Sequence, residues 1–451
     1  MRISVVGCGY LGAVHAAAMA SIGHDVVGID VDPEKIARLG RGEPPFHEPG
    51  FDALLREQVE SGRLRFTTDF AEARAADVHF LAVGTPQARD GRAADVSYVN
   101  AAVASLAPVL RPGAVVAGKS TVPVGTAARL APAVEAAGAT LVWNPEFLRE
   151  GFAVQDTLEP DRLVYGINHA VDGRAPEESP EARILDEVYA PIVGRGTPRI
   201  VTDWATAELV KVSANAFLAT KISFINAMAE IAEATGADVT TLADAIGMDA
   251  RIGRRFLNAG VGFGGGCLPK DIRAFGARAE ELGLGASVAF LKEIDAINMR
   301  RRDRVVDLVL YALGPRRHEG RVTVLGLAFK PDSDDVRDSP ALDVAVRLKG
   351  LGVHVVATDP EAIENARARH PQLEYVADTQ EALAGADVVV LVTEWREFRE
   401  LDPAATLALA SDGASTESDV PRPPVVIDGR NVLDPVAWRA AGWDYRGMGR
   451  P

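Results

Sequence analysis

The sequence has few cysteines, no excess of positive charge and no long apolar run. Cys8 and Cys267 are its only cysteines in 451 residues, too few for the disulfide framework of a secreted protein. Asp and Glu outnumber Lys and Arg by 63 to 48, a net charge of −15, which disfavours nucleic acid as a partner because an acidic surface repels phosphates. No apolar run approaches the roughly 18 residues of a membrane span, and the apolar run at residues 3–7 is too short for a signal peptide. We therefore expect a soluble, unprocessed, cytoplasmic protein.

Two stretches of alternating strands and helices predict two parallel sheets. Apolar, β-branched runs lie at residues 2–6, 25–30, 76–83 and 114–118, and the pattern returns at 321–326, 353–359, 386–393 and 425–428. Strands that alternate with helices form parallel sheets covered on both faces. At roughly 150 residues a domain, the length favours about three units, and we place them at residues 1–200, 201–313 and 314–451.

A helical segment joins the two predicted sheets. Residues 202–234 are Ala-rich with almost no helix breaker before Gly236, which predicts one helix of about 30 residues. A second helical stretch covers residues 286–313, and residues 169–180 and 411–424 are predicted surface loops. The predicted fold class is α/β, with two doubly wound sheets joined by a helical segment that contains one long central helix.

A glycine-rich turn after the first strand has the pattern of a dinucleotide site. Gly7, Gly9 and Gly12 form a GxGxxG motif between a predicted strand and a predicted helix, the context in which a pyrophosphate meets a helix N-terminus. Asp30 ends the second strand, where a carboxylate binds the ribose 2′-hydroxyl and repels a 2′-phosphate. These residues predict a Rossmann-like domain that binds NAD rather than NADP; a structural turn with a chance acid is the alternative. Cys8 is interpreted as a small packing residue.

Polar side chains also follow other predicted strands. Thr85 and Thr121 lie where strands end, and ligands of open α/β sheets gather at that edge. Glu146 and Glu150 lie four residues apart in the turn after the strand at 140–143. The two threonine hydroxyls are candidates to line a cofactor, with a plain turn residue as the alternative for Thr121. For the two acids, surface ion pairing is the default interpretation.

The long helix carries three polar side chains on an alanine-rich surface. Lys211 and Asn215 are four residues apart, so they share one face, and Lys221 follows further along. Surface ion pairing is the default interpretation of such groups. Projection into a cleft between domains is the functional alternative.

A cysteine follows the most glycine-rich segment of the chain. Five glycines occur in residues 260–266, and Cys267 comes directly after them. A helix that begins at Pro269 would place Cys267 at its positive end beside Lys270, and both effects favour the thiolate. Asp271 would stabilise the helix end or hold a water. The alternative is an inert, buried cysteine.

The second predicted sheet lacks the dinucleotide motif. Residues 326–331 carry one glycine where the first sheet has three. Lys330 and the charged run at 334–338 suggest a smaller anionic nucleotide that is contacted by charged side chains. Arg337 is also interpretable as a salt-bridge partner of the acids around it.

These motifs together resemble the UDP-glucose 6-dehydrogenase family of nucleotide-sugar dehydrogenases. The resemblance covers nearly the whole chain, and its most specific pieces are residues 7–12, 120–126, 144–151, 208–226, 262–271 and 326–340. It implies NAD-dependent oxidation of UDP-glucose to UDP-glucuronate through a cysteine thiohemiacetal and thioester. Residues 1–200 would bind NAD, 201–313 would carry the catalytic cysteine loop, and 314–451 would bind the UDP-sugar. One departure is Ala227, which follows Asn226 where many relatives carry an acid.

The resemblance also implies site residues. The catalytic set is Cys267 as nucleophile, Lys211, Asn215 and Asp271 for positioning water and stabilising charge, and Glu146 and Thr121 for proton transfer and thioester hydrolysis. The expected NAD contacts are Gly7, Gly9, Tyr10, Leu11, Gly12, Asp30, Lys35, Thr85, Thr121, Glu150, Lys270 and Arg337. The expected substrate contacts are Glu146, Phe147, Leu148, Lys211, Asn215, Arg251, Phe256, Asn258, Gly264 and Lys330. Arg251 would reach a neighbouring subunit of a homodimer or larger homo-oligomer, and no metal is expected.

Three alternatives stay open at this point. The same chemistry on GDP-mannose or a UDP-N-acetylhexosamine differs only in pocket shape. A 3-hydroxyacid-type dehydrogenase would transfer a single hydride and would have an inert cysteine. A non-catalytic NAD-sensing scaffold would bind the cofactor without turnover.

Overall fold

The computed structural model describes residues 1–89, 91–168, 176–411 and 423–451. The chain divides into two compact units: Met1–Ala214 with Arg273–Gly285, and Asn215–Ile272 with Ala286–Pro451. Of the two predicted loops, residues 169–175 and 412–422 lie outside the described residues, and a helix already begins at Pro180. The three segments that the length suggested remain a prediction.

The first unit contains a sheet whose order reverses at the glycine turn. Its described strands are β1 (Arg2–Val6), β2 (Asp25–Ile29), β3 (Leu64–Thr67), β4 (Val78–Leu81), β5 (Val115–Gly118), β6 (Thr140–Trp143), β7 (Leu163–Ile167) and β8 (Arg199–Asp203). They pair in the order β3-β2-β1-β4-β5-β6-β7-β8, parallel except for the antiparallel pair β6–β7. Because the order reverses between β1 and β4, the expected ligand crevice lies at the carboxyl end of β1.

The second unit contains a sheet with the same order. Its described strands are β9 (Arg321–Leu325), β10 (His354–Thr358), β11 (Glu374–Tyr375), β12 (Val388–Leu391), β13 (Val425–Asp428) and β14 (Asp444–Gly447). They pair in parallel as β11-β10-β9-β12-β13-β14. This is the order of the first six strands of the first sheet. The predicted α/β class with two doubly wound sheets is therefore confirmed.

Helices follow almost every strand and cover the sheets. In the described residues they are α1 (Tyr10–Ser21), α2 (Pro33–Gly40), α3 (Phe51–Glu60), α4 (Ser97–Leu106), α5 (Thr126–Glu135), α6 (Ala153–Leu158), α7 (Pro180–Val188), α8 (Ala190–Val193), α9 (Trp204–Thr235), α10 (Val239–Gly247), α11 (Leu268–Glu281), α12 (Phe290–Leu313), α13 (Pro340–Gly350), α14 (Ile363–Arg369), α15 (Thr379–Leu383), α16 (Arg396–Arg399), α17 (Pro403–Ser411) and α18 (Pro435–Ala440). Short 3-10 turns lie at Phe70–Ala75, Ala107–Val109, Pro176–Glu178, Gly285–Val288 and Gly314–Arg316.

The predicted long central helix is α9, which has 32 residues. It ends before Gly236, whose φ of 76° stops the helix in the left-handed region that glycine tolerates. The helix after the cysteine begins at Leu268, one residue earlier than the Pro269 start that the sequence predicted. Among the described helices, none combines the length and the apolarity that crossing a bilayer requires.

Each unit has its own core because parallel strands bury both faces. In the first unit β4 is buried at every residue, and in the second unit so is β12. Several candidate site residues, among them Asp30, Thr85 and Glu146, lie in the loops that follow the strands.

Candidate functional site

The turn after β1 is shaped for a pyrophosphate. Gly7 has a φ of 92°, and a Cβ there would lie 2.7 Å from the Val83 side chain. A Cβ on Gly12 would overlap the Gly7 carbonyl oxygen, so the first turn of α1 packs on the loop only without a side chain. At Gly9, which precedes α1, a Cβ would meet no described atom within 4 Å. The open N-terminus of α1 therefore fits the phosphates of a dinucleotide.

Asp30 lies beside this turn, directly after β2. Its Oδ2 accepts a hydrogen bond from the Cys8 N–H at 2.8 Å and is 3.1 Å from Lys35 Nζ. Its Oδ1 accepts the Asp32 N–H at 3.1 Å. The structure thus brings the predicted cofactor residues Asp30 and Lys35 together at the edge where a ribose would bind.

Cys8 is a packing residue, as the sequence analysis proposed. Its side chain is fully buried. Burial, with the negative charge of Asp30 nearby, raises the pKa of the Cys8 thiol far above its ordinary value. Cys8 therefore has no thiolate at neutral pH.

A buried carboxylate that the sequence analysis missed, Glu48, joins α1 to the turn after β6. It is 1% exposed, and it accepts the Tyr10 hydroxyl as well as the N–H groups of Gly151 at 2.6 Å and Ala153 at 2.7 Å. Burial and the hydrogen bond to Glu48 raise the pKa of Tyr10 far above its usual value. The predicted cofactor residues Tyr10 and Glu150 are thereby held close in the chain's fold. Glu48 lies in a Pro-rich stretch without periodicity, which offered no signal.

The ends of β4 and β5 are tied together by hydroxyls. Thr85 Oγ1 donates to the Thr121 carbonyl oxygen at 2.7 Å, and Ser120 Oγ donates to the Val83 carbonyl at 2.6 Å. The two predicted threonines are therefore neighbours at the sheet edge, and Thr85 fixes the backbone of Thr121.

Glu146 and Lys211 form an ion pair inside the first unit. Lys211 Nζ lies 3.0 Å from Glu146 Oε1 and 5.6 Å from the centre of the Phe147 ring. Glu146 Oε2 accepts the Leu148 N–H at 2.7 Å. The Lys211 side chain is 7% exposed, so its default interpretation as a surface ion-pairing group is wrong. Four predicted substrate residues are brought together here.

The buried Lys119 holds the start of the same turn, which follows β6. Lys119 Nζ donates to Asn144 Oδ1 at 3.1 Å and to the Tyr189 hydroxyl at 3.3 Å. Burial lowers the pKa of Lys119 to about 8, while the charge of Glu146 acts in the opposite direction. The sequence analysis missed Lys119, although a lysine at the end of an apolar strand was a usable signal.

Glu208 fixes the loop that carries Thr121. It lies one turn before Lys211 on α9, is 2% exposed, and accepts the N–H groups of Gly125 and Ala127 at 2.7 Å each. These are orphan donors at the start of α5. Burial raises the pKa of Glu208 to about 7, against the bonds from the backbone and the charge of Arg129.

In the second unit, Cys267 lies directly before α11 and is exposed. Its carbonyl accepts the Asp271 N–H at 2.9 Å. Asp271 is buried, and its carboxylate accepts Asn215 Nδ2 at 2.6 Å and Lys270 Nζ at 2.6 Å. The alternative of an inert buried cysteine is therefore excluded, and four predicted site residues surround the start of this helix.

The predicted substrate residues of segment 249–258 are exposed, and two of them contact charged side chains of the same segment. Arg251 is exposed and pairs with Asp249 at 2.6 Å, and Asn258 Oδ1 accepts Arg254 Nη1 at 2.7 Å. Phe256 has a φ of 67°, an unusual conformation for an aromatic residue.

Lys221 is tied to the same segment. Its Nζ donates to the carbonyls of residues 252 and 253, each at 3.0 Å. This backbone contact is different from the interdomain cleft considered in the sequence analysis.

The glycine turn of the second sheet is closed by an acid. The N–H groups of Leu327 and Ala328 both donate to Asp359 Oδ2, at 2.7 and 3.0 Å, and so does Trp395 Nε1 at 3.1 Å. Asp359 follows β10 as Asp30 follows β2. Because the donors of this turn are occupied, it is unsuited to a dinucleotide phosphate.

Two predicted ligand contacts follow that turn. Lys330 Nζ lies 5.4 Å from the centre of the Phe329 ring, and Arg337 pairs with Asp335 at 2.7 Å. The salt-bridge interpretation of Arg337 is therefore realised, and its role toward a cofactor stays a prediction. In the described part of the chain, no group of three or more His, Cys, Asp or Glu residues is arranged to hold a metal.

Three segments match the domains of one protein family. Residues 1–193 match the NAD binding domain of the UDP-glucose/GDP-mannose dehydrogenase family, 205–300 match its central domain and 323–435 match its UDP binding domain.

Individual proteins are similar over their full length. The chain is 42% identical to a UDP-glucose 6-dehydrogenase of Rhizobium meliloti, with all of both chains covered. A UDP-glucose dehydrogenase structure from Pyrobaculum islandicum superposes with a TM-score of 0.86 at 39% identity, covering 100% of this chain and 98% of that one. A UDP-D-ManNAc dehydrogenase structure from Pyrococcus horikoshii has a TM-score of 0.82 at 27% identity, covering 100% and 99%.

The Asp30–Lys35 pair predicts cofactor preference. Asp30→Ala should raise the KM for NAD+ by about tenfold through lost hydrogen bonds and should improve the use of NADP+, because Lys35 gains freedom to bind a 2′-phosphate. Steady-state kcat/KM with both cofactors measures the change. Lys35→Ala is the matched control, since it keeps the repulsive carboxylate and should not admit NADP+. If the ratio of kcat/KM with NAD+ to kcat/KM with NADP+ were the same in Asp30→Ala as in the wild type, this assignment would be contradicted.

The raised pKa of Glu208 predicts a pH-dependent stability. The native state favours the protonated carboxyl, so the stabilising contribution is complete below the ordinary value of 4.5 and is lost as pH rises through about 7. At about 1.4 kcal/mol per pKa unit, the loss is on the order of 3 kcal/mol. Urea unfolding of the wild type and Glu208→Gln between pH 5 and 8 should therefore show the wild type weakening relative to the variant. Parallel curves over that range would count against the assignment.

Proposed function

The chain belongs to the UDP-glucose/GDP-mannose dehydrogenase family, and we propose that it oxidises UDP-glucose to UDP-glucuronate with two NAD+. The observation that carries the proposal is an exposed cysteine at the start of a helix, beside the Asn215–Asp271–Lys270 cluster. Two of the three relatives named above, at 42% and 39% identity, are UDP-glucose dehydrogenases, which supports this sugar.

The NAD+ would be held by the first sheet. The open turn at Gly9 and the N-terminus of α1 fit its pyrophosphate, and Asp30 fits a ribose hydroxyl. When bound, NAD+ accepts a hydride in each oxidation. Of the remaining predicted contacts, Thr85, Thr121 and Glu150 belong to the loops after β4, β5 and β6.

Cys267 would hold the sugar between the two oxidations. Loss of a hydride from C6 and of the hydroxyl proton gives the aldehyde. The thiolate then adds to the aldehyde carbon, the carbonyl π bond breaks and its oxygen takes up a proton, and the new S–C bond prevents escape of the aldehyde. Loss of the second hydride turns this thiohemiacetal into a thioester. Water then attacks the carbonyl carbon and the S–C bond breaks. The products are the sugar carboxylate, which is released, and the regenerated Cys267 thiolate.

The neighbouring polar groups have distinct proposed roles. Lys211 and Asn215 would donate hydrogen bonds to the developing oxyanion, where the loss of one donor commonly costs about 10²–10³ in rate. Asp271 would orient Asn215 through their 2.6 Å bond. Glu146, with Thr121, would move protons during thioester hydrolysis.

The second sheet would bind the UDP part of the substrate. Its match to a UDP binding domain supports this assignment, and the closed glycine turn at Asp359 is consistent with a ligand smaller than a dinucleotide. We assign Arg251, Phe256, Asn258, Gly264 and Lys330 to the sugar nucleotide. We also keep the division into a cofactor segment at 1–200, a central segment at 201–313 and a UDP segment at 314–451.

The alternative substrate is a UDP-N-acetylhexosamine. The similarity to a UDP-D-ManNAc dehydrogenase favours it as the second candidate, although at lower identity. Assaying NADH release with UDP-glucose, UDP-N-acetylmannosamine and GDP-mannose, with product masses, distinguishes them. Turnover of UDP-N-acetylmannosamine alone would overturn the proposed sugar.

We further propose a cytoplasmic homodimer. A chain with only two cysteines, Cys8 and Cys267, suits a reducing compartment. On the second-unit part of α9, Phe217, Phe224 and Ile231 recur every seven residues and are 66%, 47% and 55% exposed. That spacing returns to one face of a helix, so the three side chains form a stripe that suits pairing with a second copy of the chain.

The nucleophile assignment predicts the effect of Cys267→Ser. Turnover to the acid should fall by at least about 10³, because a serine hydroxyl is not ionised at neutral pH. NAD+ binding, followed by fluorescence titration, should survive, since the dinucleotide turn lies in the other unit. Normal production of two NADH per sugar by this variant would refute the assignment.

The α9 stripe predicts the effect of a charge on assembly. Phe217→Glu combined with Phe224→Glu should convert a dimer into a monomer, because two carboxylates would be buried unpaired at the contact. Light scattering after size-exclusion chromatography measures the mass. Tyr311→Glu, at another exposed aromatic residue on α12, is the matched control. An unchanged mass of the double variant would rule out this stripe as the interface.

A further inference from the structure

The segment that leads into Cys267 is held in place through its backbone. Residues 260–265 carry four glycines and therefore few side chains that can pack. Their peptide groups are instead bonded to residues from elsewhere in the second unit. Apart from the bonds at Phe263, these include Gly260 N–H to Asn226 Oδ1 at 2.9 Å, Arg301 Nε to Gly260 O at 3.3 Å, Val261 N–H to Gly429 O at 2.7 Å, Arg430 Nη1 to Gly262 O at 2.8 Å and Gly265 N–H to Arg337 O at 2.9 Å.

Phe263 is bonded at both of its peptide groups by one side chain. Asn298 Oδ1 accepts the Phe263 N–H at 2.8 Å, and Asn298 Nδ2 donates to the Phe263 carbonyl oxygen at 2.9 Å. Asn298 lies on α12 and is fully buried. A carboxamide is the side-chain group that offers an acceptor and a donor side by side, so it pairs with a peptide as a neighbouring strand would.

The residue before Phe263 must be a glycine for Asn298 to reach this peptide. A Cβ on Gly262 would overlap Asn298 Oδ1, and the φ of Gly262 is 99°. Arg302, one turn after Asn298, adds a weaker bond from Nη2 to the Phe263 carbonyl at 3.4 Å and pairs with Asp338 at 2.9 Å. The Phe263 peptide is therefore fixed from the α12 side.

We propose that Asn298 is a positioning residue for Cys267. By holding the peptide groups of Phe263, Asn298 fixes the start of the glycine run at 264–266, and this run places the Cys267 thiol at the start of α11. The proposal rests on the function proposed above, in which this sulfur is the nucleophile. Asn298 does not contact the reacting atoms itself. It acts through the peptide that it holds.

The physical reason lies in the three glycines between Phe263 and Cys267. Glycine restrains its own backbone less than any other residue, so the position of the sulfur depends on the hydrogen bonds that hold the run, which include those at Phe263 before it and the Gly265 N–H to Arg337 O bond within it. The downstream anchor is the bond from the Asp271 N–H to the Cys267 carbonyl, within α11. The main upstream side-chain anchor is Asn298.

Loosening the upstream anchor should make the thiol less reactive rather than more. Cys267 is already exposed, so added motion does not improve access. Motion does carry the sulfur away from the positive end of α11, where the thiolate is stabilised, and the thiolate is the reactive form. The expected direction is therefore a slower reaction with an electrophile.

The test compares Asn298→Ala and Asn298→Asp with the control Ser223→Ala. Ser223 is equally buried, and its Oγ donates to the Ile294 carbonyl at 2.8 Å, one turn before Asn298 on α12. The control therefore also removes a buried bond at α12, but without touching the glycine segment. The rate of alkylation of Cys267 by iodoacetamide is followed at pH 7.5 by peptide mass spectrometry. Buried Cys8 reports any global unfolding in the same sample.

The expected result is a slower alkylation of Cys267 in Asn298→Ala, by about tenfold, with a similar fall in kcat and a KM for the sugar nucleotide within about threefold. Asn298→Asp keeps the acceptor for the Phe263 N–H but loses the donor, so its rate should be intermediate. Ser223→Ala should match the wild type. Asn298→Ser, which removes the paired contact without burying a charge, keeps the test valid if the other variants do not fold.

Equal alkylation rates in the Asn298 variants and the control would overturn the proposal, even if the Asn298 variants melt at lower temperature. That outcome would leave Asn298 a purely structural residue. Because alkylation needs no substrate, the two proposals fail separately. A wild type that turns over no sugar nucleotide while Asn298→Ala slows alkylation would reject the function and keep the positioning role.

Discussion

Buried carboxylates bonded to backbone N–H groups hold the loops at the strand ends of both sheets. Glu48 binds the N–H groups of Gly151 and Ala153, and Glu208 binds those of Gly125 and Ala127. Peptide groups that leave a buried strand must still find partners, and an unpaired one costs about as much as a lost hydrogen bond. A carboxylate can satisfy two at once. By accepting two backbone N–H groups, each of these buried carboxylates holds its loop in one position.

Hydrogen bonds from backbone N–H groups to a carboxylate also distinguish the glycine turns of the two sheets. The sheets share strand order, and each has an acid directly after the strand beside its glycine turn. Asp30 takes one N–H of the first turn and leaves the N-terminus of α1 open. Asp359 takes two N–H groups of the second turn and the Trp395 indole as well. The first turn fits a dinucleotide, whereas the second is already filled by the protein.

The residues found from the sequence and those missed differ in kind. Cys267, Glu146 and Asp30 stand next to strong local signals: a glycine run, the end of a strand and a motif. Glu48 and Asn298 have no such neighbours, whereas Lys119, directly after β5, had a usable signal that was overlooked. Asn298 lies in the middle of a helix, and its partner is 35 positions away in the chain. Its partner is therefore visible only once α12 has packed against the glycine segment. For the same reason the sequence analysis did not foresee that Lys211 is buried against Glu146.

The sequence by itself determined the class of fold, the order of strands and helices, the long central helix and the dinucleotide turn. These follow from periodicity and glycine placement, which act over a few residues. The tertiary structure alone decided which carboxylates are buried, which peptide groups each of them binds, and that Lys211 is buried against Glu146. Those outcomes depend on contacts between residues distant in sequence, since burial and hydrogen-bond partners exist only after the elements have packed.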